Sequence, residues 1–266
     1  MRDRYAVIGN PVAHSSSPRI HAEFAQATGQ DMEYGRIEAP QGAFERAASE
    51  FRAQGGKGLN VTVPFKADAY RYATRLSPRA SAAHAVNTLA FRDEEVFGDT
   101  TDGVGLVSDL TQNLSVALRG RAVLLMGAGG AAQGVVQALF EAGIASLVIA
   151  NRTPAKAQAL AARFPPAQGS SYAALAGRRF DLVVNATSAG LADQAPPLPG
   201  GLLAPGMVAY DMVYGRDTPF LAAARAAGAR ACDGLGMLVE QAAESFFLWR
   251  GVRPQTRPVL QRLRGG

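Results

Sequence analysis

Short apolar runs alternate with amphipathic stretches along the whole chain. Residues 5–8, 34–38 and 58–63 read as strands, and residues 18–28 and 43–54 between them carry helical spacing. Ser17 is placed to cap the first helix, with Pro18 at its first helical position. Lys66 follows the third strand, just beyond Pro64 and Phe65. Residues 86–91 and 95–98 predict a strand pair joined by a turn at 92–94. After 98–103 (GDTTDG), Val104, Val107, Leu110, Leu114 and Leu118 recur at helical spacing, and the chain is expected to cross there into a second domain.

The second half keeps the alternation. Residues 122–126 are wholly apolar, as in a strand buried on both faces of a parallel sheet. A glycine-rich turn, a helix over 131–141 and a strand over 146–150 then make one β-α-β unit. A helix over 154–163, a strand over 180–185, a proline-rich loop over 193–199 and strands over 208–212 and 229–232 follow. The helix over 237–249 carries Leu238, Ala242, Phe246 and Trp249 on one face and is expected to pack back onto the first half. The pattern predicts an α/β protein of two α/β domains: 1–101 joined by a C-terminal segment 238–266, and 102–237.

The turn Gly127-Ala128-Gly129-Gly130-Ala131 has the chemistry of a dinucleotide site. Gly127 permits a tight exit from the strand, Gly129 lets a pyrophosphate approach the backbone, and Ala132 keeps helix and strand close. The N–H groups that open the helix then face the phosphates. An NAD site carries an acid after the second strand, for the ribose 2′-hydroxyl. This chain has Asn151, Arg152, Thr153 and then Lys156. A guanidinium binds a 2′-phosphate by a fork of hydrogen bonds, so the expected cofactor is NADP. The second domain is therefore read as a Rossmann-like NADP domain and the first as a substrate domain, with the active site expected in the cleft between them.

In parallel sheets, ligands bind beyond the carboxyl ends of the strands. Those ends in the first half supply Ser15, Ser17, Asn60, Thr62, Lys66, Asn87 and Asp102, with Asn87 expected inside the fourth strand. Hydroxyls, amides and one ammonium suit a small polyhydroxylated acid. Lys66 and Asp102 form the expected catalytic pair: the lysine polarises a carbonyl and relays the hydroxyl proton, and the carboxylate orients it. Asp102 also suits a helix N-terminus on dipole grounds alone. The sequence holds no G-x-S-x-G elbow, Walker loop or H-E-x-x-H motif, and none of the 3 histidines is assigned to a metal.

Composition narrows the classes. Apolar residues make up 48% and charged residues 18%, a globular balance. No apolar run reaches the roughly 18–20 residues of a membrane span. A lone cysteine, Cys232, fits a cytoplasmic protein without an internal disulfide and reads as a core residue. The net charge of +5 lies in the tail, at Arg250, Arg253, Arg257, Arg262 and Arg264, read as a solvated end with no nucleic-acid partner. The expected partner is a small-molecule substrate, with no membrane and a monomer or homodimer as the state.

The stretches YAVIGNPVAHSSSP, GGKGLNVTVPFK, AVNTL, GDTTDGVG, GAGGAAQG, NRT, NATSAG, YDMVY and DGLGMLVEQAA resemble the shikimate dehydrogenase family over essentially the whole chain. The resemblance implies NADP-linked, reversible reduction of 3-dehydroshikimate to shikimate in aromatic amino-acid biosynthesis, with Lys66 and Asp102 as the catalytic pair. It implies Ser15, Ser17, Asn60, Thr62, Asn87, Tyr214 and Gln241 as further substrate contacts. It adds Thr187, Met212 and Gly234 on the nicotinamide side of the cofactor. The chain departs from the common family pattern at Thr100, where Asn is frequent, at Ser16, where Lys is frequent, and at Lys156, where Arg is frequent. A quinate/shikimate dehydrogenase of broader specificity is the neighbouring reading, and a non-catalytic NADP-sensing relative the more distant one.

Overall fold

The computed structural model describes residues 2–187 and 194–265. Asp193, at the start of the expected proline-rich loop, and Ser188, Ala189 and Gly190 of the NATSAG stretch lie outside the described residues. Two compact units divide the chain: Met1–Gly105 with Leu238–Gly266, and Leu106–Met237. The first passage between them falls inside a helix, a few residues beyond the expected crossing.

The first unit runs β1 (Asp3–Gly9), α1 (Ser17–Thr28), β2 (Met32–Glu38), α2 (Phe44–Ala53), β3 (Gly56–Val61), α3 (Lys66–Tyr72), β4 (Arg75–Leu76), α4 (Pro78–Ala83), β5 (Thr88–Arg92) and β6 (Glu95–Asp99). The helix that follows, α5 (Asp102–Ser108), starts in this unit. The sheet order is β2-β1-β3-β5-β6-β4. β1 pairs in parallel with β2 and β3, whereas β5 is antiparallel to β3 and to β6. That reversal decides where the polar residues fall. Because β5 runs backwards, its first residue Thr88 lies opposite Asn60, near the end of β3, and opposite Asp99, at the end of β6. Asn87 is therefore not inside a strand, as the pattern suggested, but one residue before β5.

Ile8, Leu59, Val61, Leu89, Phe44 and Phe65 form a buried core for this unit. A second group of rings gathers His21 and Phe24 of α1 with Tyr5, Tyr34, Phe246 and Trp249.

In the second unit α5 leads into a π-helical turn over Asp109–Asn113. The helical pattern stops there, although Leu114 and Leu118 further on are still buried, outside any regular element. Then come β7 (Ala122–Met126), α6 (Gly130–Gln133), α7 (Val136–Glu141), β8 (Ser146–Ala150), α8 (Pro154–Ala162), β9 (Gln168–Ser170), β10 (Leu182–Asn185), β11 (Val208–Asp211), α9 (Pro219–Ala226) and β12 (Arg230–Cys232). The sheet is parallel throughout in the order β12-β11-β10-β7-β8-β9, the doubly wound Rossmann arrangement with its switch point between β7 and β10. The helix expected over 131–141 is broken into α6 and α7 at Gly134 and Val135. A glycine inside a helix weakens it, and Val135 N–H there bonds the Ala132 carbonyl in a tightened turn.

α10 (Leu235–Arg250) carries the chain back to the first unit, and α11 (Arg257–Gly265) ends it. Tyr5 stacks on Trp249 at 4.6 Å, and Trp249 Nε1 donates to the Leu89 carbonyl at 2.9 Å. The tail is not the solvated end its charge suggested. Val259 and Leu260 of α11 are buried, Arg262 Nε donates to Glu23 at 2.8 Å, Arg253 pairs with Glu244 at 2.7 Å, and Arg250 pairs with Asp3. An amphipathic apolar stripe outweighs the repulsion of a few arginines that have acids to meet.

Candidate functional site

Lys66 is the first residue of α3, not a loop lysine, and its side chain is only 13% exposed. Its Nζ donates to Asp102 Oδ2, on the first residue of α5. The other oxygen, Oδ1, accepts from Asn87 Nδ2 at 2.9 Å. Asn87 also donates to Gln241 Oε1 at 3.2 Å and to Thr101 Oγ1 at 2.9 Å, and its own oxygen accepts from the Thr101 backbone N–H at 2.8 Å. Gln241 Nε2 donates to the Leu238 carbonyl at 2.8 Å, which fixes the amide's orientation. Asn60 Nδ2 donates to Ser245 Oγ at 2.9 Å and Thr88 Oγ1 at 3.2 Å, while Tyr34 OH donates to Asn60 Oδ1 at 2.7 Å. Five expected residues, Lys66, Asp102, Asn87, Gln241 and Asn60, thus belong to one hydrogen-bonded set. All but Lys66 are buried. Burial makes each partner necessary, since an unpaired polar group there costs about 1–3 kcal/mol.

The serine loop adjoins this set. Ser17 is buried and is the first residue of α1, so it is not the cap. Instead Ser15 Oγ accepts from the Ser17 N–H at 3.3 Å, closing a local turn that starts the helix. Burial pushes the Tyr34 phenol well up, with Ser17 and the Arg36 charge opposing that shift. Thr62, half-buried, sits one residue past β3 and donates its N–H to the Ile8 carbonyl at 3.0 Å. Tyr34, Thr88, Thr101 and Ser245 escaped the sequence reading. Ser245 carried a usable signal: it lies one helical turn after Gln241 and so shares its face.

The residues expected to hold the cofactor lie in the second unit, at the carboxyl ends of its strands. Gly127 has φ +108°, and a methyl there would come within 3.0 Å of the Ala186 carbonyl, so the loops after β7 and β10 meet at the switch point. A methyl on Gly129, by contrast, would meet nothing within 4 Å, which leaves its backbone open to approach. Ala132 is fully buried, as close helix–strand packing requires. Ala128 accepts from Gln133 Nε2 at 3.2 Å, and Gly130 and Ala131 open α6. Asn151 Nδ2 bonds the Thr153 carbonyl at 3.1 Å, shaping the turn that exposes Arg152, with Lys156 also exposed one turn into α8. Thr187 Oγ1 donates to Asn185 Oδ1 at 2.7 Å, and Met212 N–H bonds the Asn185 carbonyl at 3.0 Å. Gly234 lies so close to the Met212 carbonyl that a side chain would overlap it. Tyr214, half-buried, is on the loop after β11, which Asp211 braces by accepting from Val213 N–H at 3.1 Å and Thr218 Oγ1 at 2.6 Å. A tight glycine exit, an open backbone at Gly129 and exposed cations after β8 fit a dinucleotide bearing an extra phosphate.

A Rossmann sheet with this turn, and a half-buried lysine paired with a buried carboxylate among neutral donors, define an α/β dehydrogenase of the nucleotide-dependent kind. Three family models match the chain: the shikimate dehydrogenase substrate binding domain at residues 7–89, shikimate/quinate 5-dehydrogenase at 109–192 and the shikimate 5′-dehydrogenase C-terminal domain at 234–264. The chain belongs to the shikimate dehydrogenase family. It is 58% identical over 269 residues to a shikimate dehydrogenase (NADP(+)) of Chromobacterium violaceum, covering 99% of this chain and 98% of that protein. It is also 58% identical to the protein of that name from Methylobacillus flagellatus, covering 98% and 99%. Among solved structures, an Ael1 enzyme from Pseudomonas putida is similar at 51% identity and TM-score 0.91, with 98% of each chain covered. Shikimate 5-dehydrogenase from Thermus thermophilus in complex with NADP(H) and shikimate is similar at 36% identity and TM-score 0.88, again with 98% of each covered.

Proposed function

We propose that the chain catalyses the NADPH-dependent, reversible reduction of 3-dehydroshikimate to shikimate in aromatic amino-acid biosynthesis. The observation that carries the reading is the Lys66–Asp102 pair held by Asn87, in a chain 58% identical to NADP-dependent shikimate dehydrogenases. NADPH supplies the hydride that the substrate's carbonyl carbon accepts. Lys66 donates a hydrogen bond to the carbonyl oxygen, polarises it, and gives that oxygen a proton as the hydroxyl forms. In the reverse direction the lysine takes the hydroxyl proton back. Asp102 holds the ammonium on target, and Asn87 fixes the carboxylate so that neither swings away. Ser15, Ser17, Asn60, Thr62, Tyr214 and Gln241 bind the substrate's carboxylate and hydroxyls. Gly127, Ala128, Gly129, Gly130 and Ala131 hold the cofactor's pyrophosphate. Asn151, Arg152, Thr153 and Lys156 hold its 2′-phosphate end, and Thr187, Met212 and Gly234 its nicotinamide side. The proposal extends to a cytoplasmic location, which a single buried free cysteine supports, and to a monomer or homodimer.

The test is the rate of NADP reduction with shikimate and with quinate, each against NADP and NAD. Rapid turnover confined to shikimate with NADP supports the reading. Comparable rates with quinate or NAD would move the chain to a broader relative.

A further inference from the structure

The proposed substrate is a carboxylate, and the hydrogen-bonded set around Lys66 offers it no unbalanced positive charge. Lys66 is neutralised by Asp102, and Asn60, Asn87, Thr62 and Gln241 are uncharged. One cation stands beside the serine loop. Arg36 on β2 donates from Nη2 to the Ser15 carbonyl at 2.7 Å and from Nε to the same oxygen at 3.3 Å. The register places Arg36 opposite Val7, and Val7 opposite Asn60, so one row across the sheet leads from the guanidinium to the polar set. Arg36 also lies close enough to the Tyr34 hydroxyl to influence its ionisation, and that hydroxyl bonds Asn60. Among the described residues no carboxylate lies within ion-pair distance of Arg36, so its charge is answered only by a neutral carbonyl.

We propose that Arg36 is a specificity-determining residue, which selects a carboxylate-bearing substrate by its charge while holding the Ser15 loop in place. On this reading the ketone goes to Lys66, and the carboxylate to the serine loop and Arg36. The guanidinium has five N–H donors and uses two of them on Ser15, so the fork retains donors for an anion. A solvent-exposed arginine with no partner role would instead leave substrate preference untouched.

This inference rests on the proposed reaction, and wild-type turnover of shikimate with NADP tests that reading separately. The inference itself is tested by comparing shikimate with its methyl ester, which keeps the ring and hydroxyls but lacks the charge. In the wild type the ester's KM should exceed that of shikimate by about tenfold, as expected when a charge-assisted hydrogen bond is lost. Arg36→Ala should raise the KM for shikimate by at least a similar factor and that for the ester by much less, so that the ratio falls toward one. Arg36→Lys should restore part of the ratio, and the KM for NADP should not move in either variant. A purely structural role, in which Arg36 only holds the loop, would raise both KM values together and keep the ratio. That outcome, an unaltered shikimate KM in Arg36→Ala, or a wild type that does not distinguish acid from ester would each overturn the proposal.

Discussion

At the scale of the residue, the decisive feature is the Lys66–Asp102 pair. Lys66→Ala removes the proposed proton relay but leaves the core of α3, anchored by Phe65 and Ala69, intact. Turnover should fall about a hundred- to ten-thousand-fold while the thermal midpoint and the KM for NADP stay near wild type. Near-normal turnover would take Lys66 out of the mechanism. Arg152→Ala should raise the KM for NADP roughly tenfold or more and change that for NAD little, since only NADP carries the 2′-phosphate. His21 makes a different kind of prediction. Complete burial pushes its pKa down to about 3, with Asn60 opposing that shift, and neither ring nitrogen makes a hydrogen bond of proper geometry among the described residues. The ring is thus neutral in the fold and stacks on Tyr34 at 4.2 Å. As pH drops below about 6.5, the unfolded chain binds a proton that the fold refuses. The stability is therefore whole above that pH and is lost on acidification toward pH 3, by up to about 1.4 kcal/mol per pH unit. His21→Phe keeps the stacking and forfeits no hydrogen bond. Urea midpoints at pH 7 and 5.5 should show the wild type losing about 1 kcal/mol more than this variant. Legibility at this scale follows chemistry: Lys66, Asp102 and the glycine turn stood out because their residue types suit reacting or phosphate-bearing ligands. Tyr34, Thr88 and Thr101 did not, because an aromatic or threonine in a strand is indistinguishable by type from ordinary packing.

At the scale of the element, the strands of the second unit were readable because each is buried on both faces and so is a continuous apolar run. β8 matches its expected span, and β10 and β11 differ only at their ends. What escaped was short or reversed. β4 has 2 residues and α4 has 6, too few to show a period. α3 has 7, and its sequence KADAYRY has no clear start signal. The direction of β5 depends on pairing with distant strands and not on its own pattern, which is why Asn87 was misplaced by one element boundary. α10 was readable from its apolar face, and its docking supplies a sharp test at Gly58. A methyl added there would lie 2.5 Å from Trp249 Nε1 and 2.6 Å from the Leu89 carbonyl, so it would wedge apart the hydrogen bond that joins helix to sheet. Gly58→Ala should cost about 1–3 kcal/mol. Trp249 is the only tryptophan, so its fluorescence reports this displacement directly. An unshifted emission spectrum and an unchanged denaturation midpoint would show that α10 is not held at this point.

At the scale of the whole molecule, the question is what holds the C-terminal segment, charge or apolar burial. The net charge of +5 invites an electrostatic answer. Yet the pairs concerned are partly exposed: the Arg262 side chain is 53% exposed and that of Arg253 is 55%. Pairs of that kind contribute about 0–1 kcal/mol and are screened by salt. Val259 and Leu260 of α11 are buried against the first unit, and two such aliphatic side chains contribute roughly 3–6 kcal/mol before the entropy of ordering the helix is subtracted. The apolar contribution should therefore win. Arg262→Ala is expected to change stability by less than about 1 kcal/mol, and raising the salt to 1 M should make little difference to the wild type. Deleting residues 255–266, which spares the Arg250 and Arg253 pairs, should cost about 3 kcal/mol. If Arg262→Ala proved as damaging as the deletion, or if salt reproduced the loss, then the arginines rather than the two aliphatic residues would be the anchor. The charge pattern would in that case have been the better guide to the tail than its hydrophobic spacing.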